Sequence, residues 1–115
     1  MKTSPSVQDT IWRLRVDLVS AKALLLVGSS AAEEEIDPDV HLFFYDRYWR
    51  LAALYEKAGR RRRATKLRAR AEHHLSFCPR GGPPYAAASA AQVPRPSIRT
   101  LARGRWTPAD SDDAA

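Results

Sequence analysis

The sequence contains a single cysteine, Cys78, and no long apolar run. One cysteine excludes an internal disulfide framework and favours a reducing compartment. The most apolar stretch, residues 21–28, is interrupted by Lys22 and is too short to cross a bilayer. The first ten residues, MKTSPSVQDT, lack the charged start and apolar run of a secretory signal. We therefore expect a cytoplasmic protein without a membrane span.

Motifs for catalysis or for a bound cofactor are also absent from the sequence. Its five glycines are dispersed rather than grouped in a phosphate-binding loop, and no nucleophile motif occurs. His73, His74 and Cys78 form the one candidate metal cluster. Only His74 and Cys78 lie one helical turn apart, whereas zinc sites normally need three or four protein ligands. The sequence therefore predicts a non-enzymatic protein with no metal and no cofactor.

Basic side chains are concentrated in the second half of the chain. The net charge is +6, but residues 1–56 carry nine acidic and six basic side chains, whereas residues 57–109 carry one acidic and thirteen basic ones. A concentrated positive field attracts polyanions or an acidic protein surface. The charge distribution therefore indicates a binding protein, with a polyanion or an acidic partner as its ligand.

The first predicted helix covers residues 6–28, from the N-cap Ser6 to Gly28 as its stop. One apolar row recurs at alternating intervals of four and three, which is typical of a helical seam. It consists of Val7, Ile11, Leu14, Leu18, Ala21 and Leu25. A neighbouring row consists of Trp12, Val16, Val19, Ala23 and Leu26. So broad an apolar face predicts contact with two helices, or with one helix and another subunit, which leaves self-association open.

Residues 29–37, SSAAEEEID, form an acidic connection to the next helix. It is either a solvated linker or a latch in which its glutamates pair with the run Arg60 to Arg63. Exposed pairs of this kind contribute roughly 0–1 kcal/mol each, so such a latch would be weak and sensitive to salt.

A second helix is predicted over residues 38–58. Asp37 and Pro38 give a strong start signal, because aspartate caps helices and proline suits their first position. Apolar residues lie on almost every face of this helix, which predicts either a central position or exposed aromatic side chains. Phe43 and Trp49 lie off the main apolar row, so they are our candidates for a partner-binding surface. The alternative is that both belong to the core.

The third predicted helix covers residues 60–77 and is strongly basic. Seven of the eleven residues from Arg60 to Arg70 are basic. The candidates for binding a polyanion or an acidic partner are Arg60, Arg61, Arg62, Arg63, Lys66 and Arg70. A basic stripe on a helix can follow a phosphate backbone or dock on an acidic protein, although a charge run is also typical of a solvated face. Arg68 can pair with Glu72, four residues further on.

Large, small and turn residues follow one another at fixed offsets across the second and third helices. They are Tyr48, Leu51, Ala52, Tyr55, Gly59, Ala64 and Ala71. This series resembles a single tetratricopeptide repeat. The resemblance implies two antiparallel helices that approach closely at Ala52 and Ala64, with Gly59 ending the first. Arg68 and Ser76 depart from the repeat pattern and neither flank repeats it, so a generic helical hairpin is the alternative.

Residues 79–115 hold six of the eight prolines and an alanine- and serine-rich run, which predicts a disordered tail. Within it, residues 96–106, PSIRTLARGRW, can form a short helix capped by Ser97. Such a segment is typical of a linear motif that folds on a partner. Its candidate anchors are Ile98, Leu101 and Trp106.

These patterns predict an all-α protein, with a three-helix bundle in residues 1–78 that contains the tetratricopeptide-like hairpin, and a disordered tail over residues 79–115. The predicted function is a small basic adaptor or accessory subunit that mediates protein–protein interaction. The alternative is a nucleic-acid-binding protein that uses the Arg-rich third helix. A helix-turn-helix DNA reader is disfavoured, because bulky Tyr55 stands four residues before Gly59, where such motifs usually carry a small residue.

Overall fold

The computed structural model describes residues 5–28, 33–78 and 92–103, and within these ranges the protein is helical. Helix α1 covers Pro5–Gly28, a 3-10 turn covers Glu33–Glu35, α2 covers Pro38–Lys57, α3 covers Arg61–Leu75 and the short α4 covers Ile98–Arg103. The three long helices begin and end within two residues of the predicted positions. The all-α prediction is therefore confirmed.

The start of α2 follows from two adjacent residues. The Asp37 carboxylate accepts a hydrogen bond from the backbone N–H of Asp39 at 2.8 Å. Pro38 occupies the first helical position, where its missing N–H costs no hydrogen bond. The predicted cap at Asp37 and Pro38 is therefore confirmed.

The end of α2 is set by Gly59, which adopts a φ of 82°. The N–H of Gly59 donates to the carbonyl of Glu56 at 3.0 Å, and the N–H of Arg60 donates to the carbonyl of Tyr55 at 2.8 Å. This pair of bonds is a Schellman motif, the usual way in which a glycine ends a helix. The chain then turns back, so α3 runs antiparallel to α2.

Replacing Gly59 with alanine should destabilise the protein by about 1 kcal/mol, because a Cβ disfavours this backbone conformation. No atom lies within 4 Å of the position that the Cβ would occupy, so the cost is backbone strain rather than a clash. We expect Tm to fall by roughly 4–8 °C in far-UV circular dichroism melts. Gly59→Asn is the matched control, since asparagine tolerates this conformation better and should lose less. Equal losses for the two variants would contradict the explanation.

Helix α2 is the centre of the packing: α1 and α3 both lie against it, and α4 lies against α1. The contact between α2 and α3 is the most extensive. Ala52, Ala64 and Ala71 are fully buried, which lets the two backbones approach closely. The rest of the buried core consists of Leu14, Leu18, Ala21, Val40, Phe43, Phe44, Tyr45, Tyr48, Leu51, Tyr55 and Leu101.

The centre of α2 also carries two buried charged side chains, Asp46 and Arg47. The Nε of Arg47 donates to Asp17 at 3.1 Å. Its Nη1 donates to Asp46 and to the backbone carbonyl of Val93, the latter at 2.8 Å. Its guanidinium carbon lies 4.7 Å from the centroid of the Phe43 ring. Arg47 therefore joins α1, α2 and the segment that leads into α4.

Residues 92–103 belong to the segment predicted to be disordered, yet the structure places them against α1. Leu101 is fully buried. Arg95 donates to the Asp17 carboxylate at 2.8 Å, so charge as well as apolar contact fixes this segment. Leu101 of α4 is thus covered by α1 of the same chain.

The predicted cap of this short helix is confirmed. The hydroxyl of Ser97 accepts a hydrogen bond from the backbone N–H of Thr100 at 3.1 Å. The third predicted anchor, Trp106, lies outside the described residues, as do residues 79–91 and the rest of 104–115.

Candidate binding groove

A groove runs between α1 and α3, with α2 as its floor. Both helices pack against α2, and the gap that remains between them has a volume of about 340 Å³. Its walls are lined by the basic residues Arg15, Lys22, Arg63, Lys66 and Arg70. Its floor is formed by Tyr48, Leu51 and Tyr55. Within the described chain no acidic side chain lines this basic groove, so its charge has one sign.

Helical spacing brings these cations together. On α3, Arg63, Lys66 and Arg70 are separated by three and four residues and so share one face. On α1, Arg15 and Lys22 are seven residues apart, which is close to two turns, and also share a face. Cations from two helices that are distant in sequence thereby face each other across α2.

Two tyrosines of the floor hold arginines in place. The guanidinium carbon of Arg63 lies 5.3 Å from the centroid of the Tyr55 ring, and its Nη1 donates to the Tyr55 hydroxyl at 3.5 Å. The guanidinium carbon of Arg70 lies 6.0 Å from the centroid of the Tyr48 ring. Cation–π contacts contribute about 0.5–1 kcal/mol at exposed sites. They position the guanidinium groups without neutralising them, so the positive charge stays available for a ligand.

Other basic residues near the start of α3 lie outside the basic groove. Arg60 to Arg62 are exposed and are not among its lining residues. Arg68 forms an ion pair with Glu56 of α2, and its guanidinium carbon lies 5.7 Å from the centroid of the Trp49 ring. The sequence suggested Glu72 as the partner of Arg68, but Arg68 pairs with Glu56. The antiparallel hairpin brings the end of α2 within reach of Arg68.

Toward the start of α2, the basic groove continues into an apolar cavity of about 360 Å³. The two cavities share Lys22, Tyr48 and Arg70. The apolar side chains that line the second cavity are Leu25, Leu26, Ile36, Val40 and Phe44. Its other polar side chains are Glu33, His41 and His74. The groove as a whole therefore changes from cationic at one end to apolar at the other.

His41 and His74 form a hydrogen-bonded pair at the apolar end. Their Nδ1 atoms are 2.9 Å apart, and the Nε2 of His41 lies 2.8 Å from the backbone carbonyl of Glu33. A carbonyl only accepts, so the Nε2 of His41 carries a proton. When the His41 ring is neutral, its Nδ1 has no proton and accepts from the Nδ1–H of His74. In the neutral pair, these two hydrogen bonds define one tautomer for each ring.

Burial keeps this pair neutral. It lowers the pKa of His74 from 6.5 to about 4, and the positive charges that His41 and His73 can carry lower this pKa further. Burial is also the main cause that lowers the pKa of His41. The exposed His73 lies with its Nε2 3.0 Å from the Glu33 carboxylate, and this hydrogen bond lowers the pKa of Glu33. Glu33 thus contacts a histidine of α3. The predicted latch required a contact with the run Arg60 to Arg63 instead.

Cys78 lies near the same end of the fold. Its Sγ is 3.7 Å from the carbonyl of His74, and burial raises the pKa of the thiol, which keeps it protonated. Among the residues that the structure describes, no three His, Cys, Asp or Glu side chains form a group that could hold a metal ion. Over the same ranges, no helix is long and apolar enough to cross a membrane.

The predicted partner-binding residues lie in different environments. Phe43 is fully buried. Phe43 therefore belongs to the core, which is the stated alternative, because α2 is central and its neighbours cover this side as well. Trp49 is half-buried. Leu101 is buried against α1, whereas Ile98 of the same helix is 68% exposed.

Sequence reasoning identifies one wall of the basic groove and misses the other. Arg63, Lys66 and Arg70 are among the predicted binding residues, but Arg15 and Lys22 fit equally well the solvent side of an amphipathic helix. Their seven-residue spacing shows that they share a face, but no local signal sets that face opposite α3. No protein-family model, curated protein or solved structure matches this chain.

Proposed function

We propose that the protein is a small non-enzymatic adaptor that binds an acidic segment of a protein partner in the basic groove. The observation that carries this proposal is the convergence of five cationic side chains from two helices on one groove without an acidic residue among them. Like charges that line one groove repel one another, and an acidic ligand relieves that repulsion. The five cations therefore contribute to ligand binding, whereas their mutual repulsion does not stabilise the folded protein.

The size and the floor of the groove support a peptide ligand over a nucleic acid. A volume of about 340 Å³ is that of a pocket for a small ligand or a few side chains. Tyr48 and Tyr55 are at most 6% exposed, so their ring faces are not free to stack on bases. Binding of single-stranded nucleic acid usually relies on such stacking.

A second candidate function, nucleic-acid binding through α3, is favoured by one observation. Arg60 to Arg62 are exposed, and none of the ion pairs in the described chain uses them. Together with Lys66 and Arg70 they offer a cationic surface that can follow a phosphate backbone. Such contact needs no groove and would depend steeply on salt.

We also propose that α2 and α3 form a tetratricopeptide-like hairpin within a three-helix bundle of α1, α2 and α3. The fully buried alanines Ala52, Ala64 and Ala71 support this interpretation, because small residues at these positions let paired helices approach closely. A cytoplasmic location stays a prediction.

Charge reversal in the basic groove should remove most of the binding of an acidic peptide. As a probe we choose a fluorescently labelled peptide rich in glutamate, titrated at physiological salt and followed by anisotropy. We expect Lys66→Glu combined with Arg70→Glu to weaken its affinity at least roughly tenfold, because two attractive charges become repulsive.

Lys57→Glu combined with Arg61→Glu is the matched control. It changes the net charge by the same amount at two exposed positions outside the groove, so the affinity should fall by only about twofold. Equal losses for the two pairs would mean that the peptide senses net charge alone, and the proposal would be wrong. A labelled single-stranded oligonucleotide that binds more tightly than the peptide, with affinity falling steeply as salt rises, would favour the second candidate.

A further inference from the structure

An apolar surface of α1 lies exposed beside the basic groove. It consists of Trp12, Val16, Val19, Ala23 and Leu26, and we name it the α1 stripe. Its four larger side chains are between 44% and 71% exposed, and Ala23 is exposed as well. The sequence predicts a second contact for this row, and none of the described helices buries it.

The spacing of the α1 stripe is that of a coiled-coil seam. Its members are separated by four, three, four and three residues, which is the 3.5-residue repeat along which two helices pack. At 1.5 Å of rise per residue the stripe is about 21 Å long. A partner that matches this repeat along its whole length is an α-helix rather than an extended segment.

The charges beside the stripe determine which helix fits. In a coiled coil, the positions that flank the seam choose the partner through their charge. On α1 the flanking positions hold Arg13, Arg15, Ser20 and Lys22. None of them is acidic, so a second copy of this chain supplies no opposite charge, and an antiparallel copy would bring Arg15 close to Lys22. A helix with Glu or Asp at its flanking positions instead pairs with these cations.

The stripe and the basic groove form one continuous surface. Val19 belongs to the stripe and lines the basic groove, and Leu26 belongs to the stripe and lines its apolar extension. Arg15 and Lys22 separate the outer part of the stripe from the groove and face into the groove. One helix lying along α1 therefore touches the apolar seam and the cations together.

We infer that the partner segment is an acidic amphipathic α-helix whose apolar row packs on the α1 stripe and whose acidic flank enters the basic groove. This inference rests on the function proposed for the groove. It adds the secondary structure of the ligand and its second contact surface.

Two synthetic peptides of identical composition test the inference on the full-length protein. The first carries leucine along a 3.5-residue repeat with glutamate at the flanking positions, and the second has the same residues in an order without an apolar row. Anisotropy titrations should show that the first peptide binds at least roughly tenfold more tightly. Its far-UV circular dichroism should gain helical signal on binding.

Trp12→Ser combined with Val16→Ser removes part of the stripe without touching the groove, since neither residue lines it. Both side chains are exposed, at 66% and 44%, so the fold should tolerate the change. We expect this variant to lose most of the tenfold preference for the helical peptide, while its affinity for the reordered peptide stays within about twofold of the wild-type value.

Three results would overturn the inference. If both peptides bind equally and Lys66→Glu combined with Arg70→Glu still weakens both, the groove function stands and the helical partner does not. If neither peptide binds, the groove function falls as well. If analytical ultracentrifugation finds a dimer that Trp12→Ser combined with Val16→Ser dissociates, the stripe belongs to a second copy of this chain.

Discussion

Replacing Arg47 with alanine should destabilise the protein by about 3 kcal/mol, the largest effect that we expect from a single substitution. The Arg47 side chain is only 4% exposed, and it binds Asp17, Asp46 and the carbonyl of Val93. Removing one partner of a buried ion pair typically costs about 3–5 kcal/mol, because the charge that remains is left uncompensated. We expect the lower end of this range, since Asp46 keeps Arg50 as a partner at 3.0 Å. Urea unfolding measures the change.

Arg50→Ala is the matched control. Arg50 lies one turn from Asp46 and bonds to the same carboxylate, but its side chain is 19% exposed. Pairs nearer to solvent contribute less, so we expect a loss of about 1 kcal/mol or less. If Arg47→Ala costs no more than Arg50→Ala, then burial of the Arg47 network contributes little to the fold.

Arg47→Ala should also change hydrogen exchange locally, in α4. The N–H of Leu101 donates to the carbonyl of Ser97 at 3.0 Å, so it should be protected from hydrogen exchange. In Arg47→Ala the bond to the Val93 carbonyl is lost, so fewer contacts fix α4 to α1. The exchange rate of the Leu101 amide should therefore increase more than the rates of the amides at the centre of α3. A uniform increase in exchange rate across all helices would instead indicate a global loss of stability, and Arg47 would then have no special role in fixing α4.

The two ends of α2 could be predicted because their causes are local. Asp37 and Pro38 act on the first turn of α2, and Gly59 acts on the last one. These residues contact backbone groups within a few positions of themselves, so sequence order alone contains the information. The same holds for Ser97, whose hydroxyl caps α4 three residues later.

The Arg47 network could not be predicted, because its partners are distant in sequence. Asp17 lies 30 residues before Arg47, and Val93 lies 46 residues after it. The sequence contains one hint, the adjacent opposite charges of Asp46 and Arg47 inside a helix that is apolar on nearly every face. If such a helix lies at the centre of the packing, charged side chains in its middle must be buried and paired.

The basic groove was predictable in part for the same reason. The face shared by Arg63, Lys66 and Arg70 follows from helical spacing on α3. Its opposite wall depends on how α1 lies across α2, which is decided by tertiary packing. The burial of Phe43 depends on that packing too, and this is why the sequence left open whether Phe43 lies in the core or on a partner-binding surface.

Acidification from about pH 7 to about pH 4.5 should destabilise the protein by about 2–3 kcal/mol through the histidine pair. The pKa of His74 is about 4 in the folded protein, against an ordinary value of 6.5. Below about pH 6.5 the unfolded chain binds a proton that the folded protein does not bind until about pH 4. The contribution of the neutral His74 to the free energy of unfolding is therefore fully present above about pH 6.5, and it is lost as the pH falls from there to about 4. Burial also lowers the pKa of His41, which adds to the loss in the same direction.

The charges that face the pair act in both directions. Lys22 of α1 and His73 of α3 disfavour a proton on His74, whereas Glu33 favours it. Burial outweighs all three and is insensitive to ions in solution. Added salt should therefore change the acid-induced loss of stability only slightly.

His74→Asn separates the histidine pair from other acid-sensitive groups. An asparagine N–H can replace the Nδ1–H that His74 donates to His41, but asparagine does not titrate. In melts followed by far-UV circular dichroism, the wild-type Tm should be roughly 10–20 °C lower at about pH 4.5 than at about pH 7. That difference should fall by at least about half in His74→Asn and stay close to the wild-type value in His73→Asn, because His73 is exposed. If His74→Asn keeps the full wild-type difference, the lost stability does not come from a neutral ring that must take up a proton, and the explanation by the histidine pair is wrong.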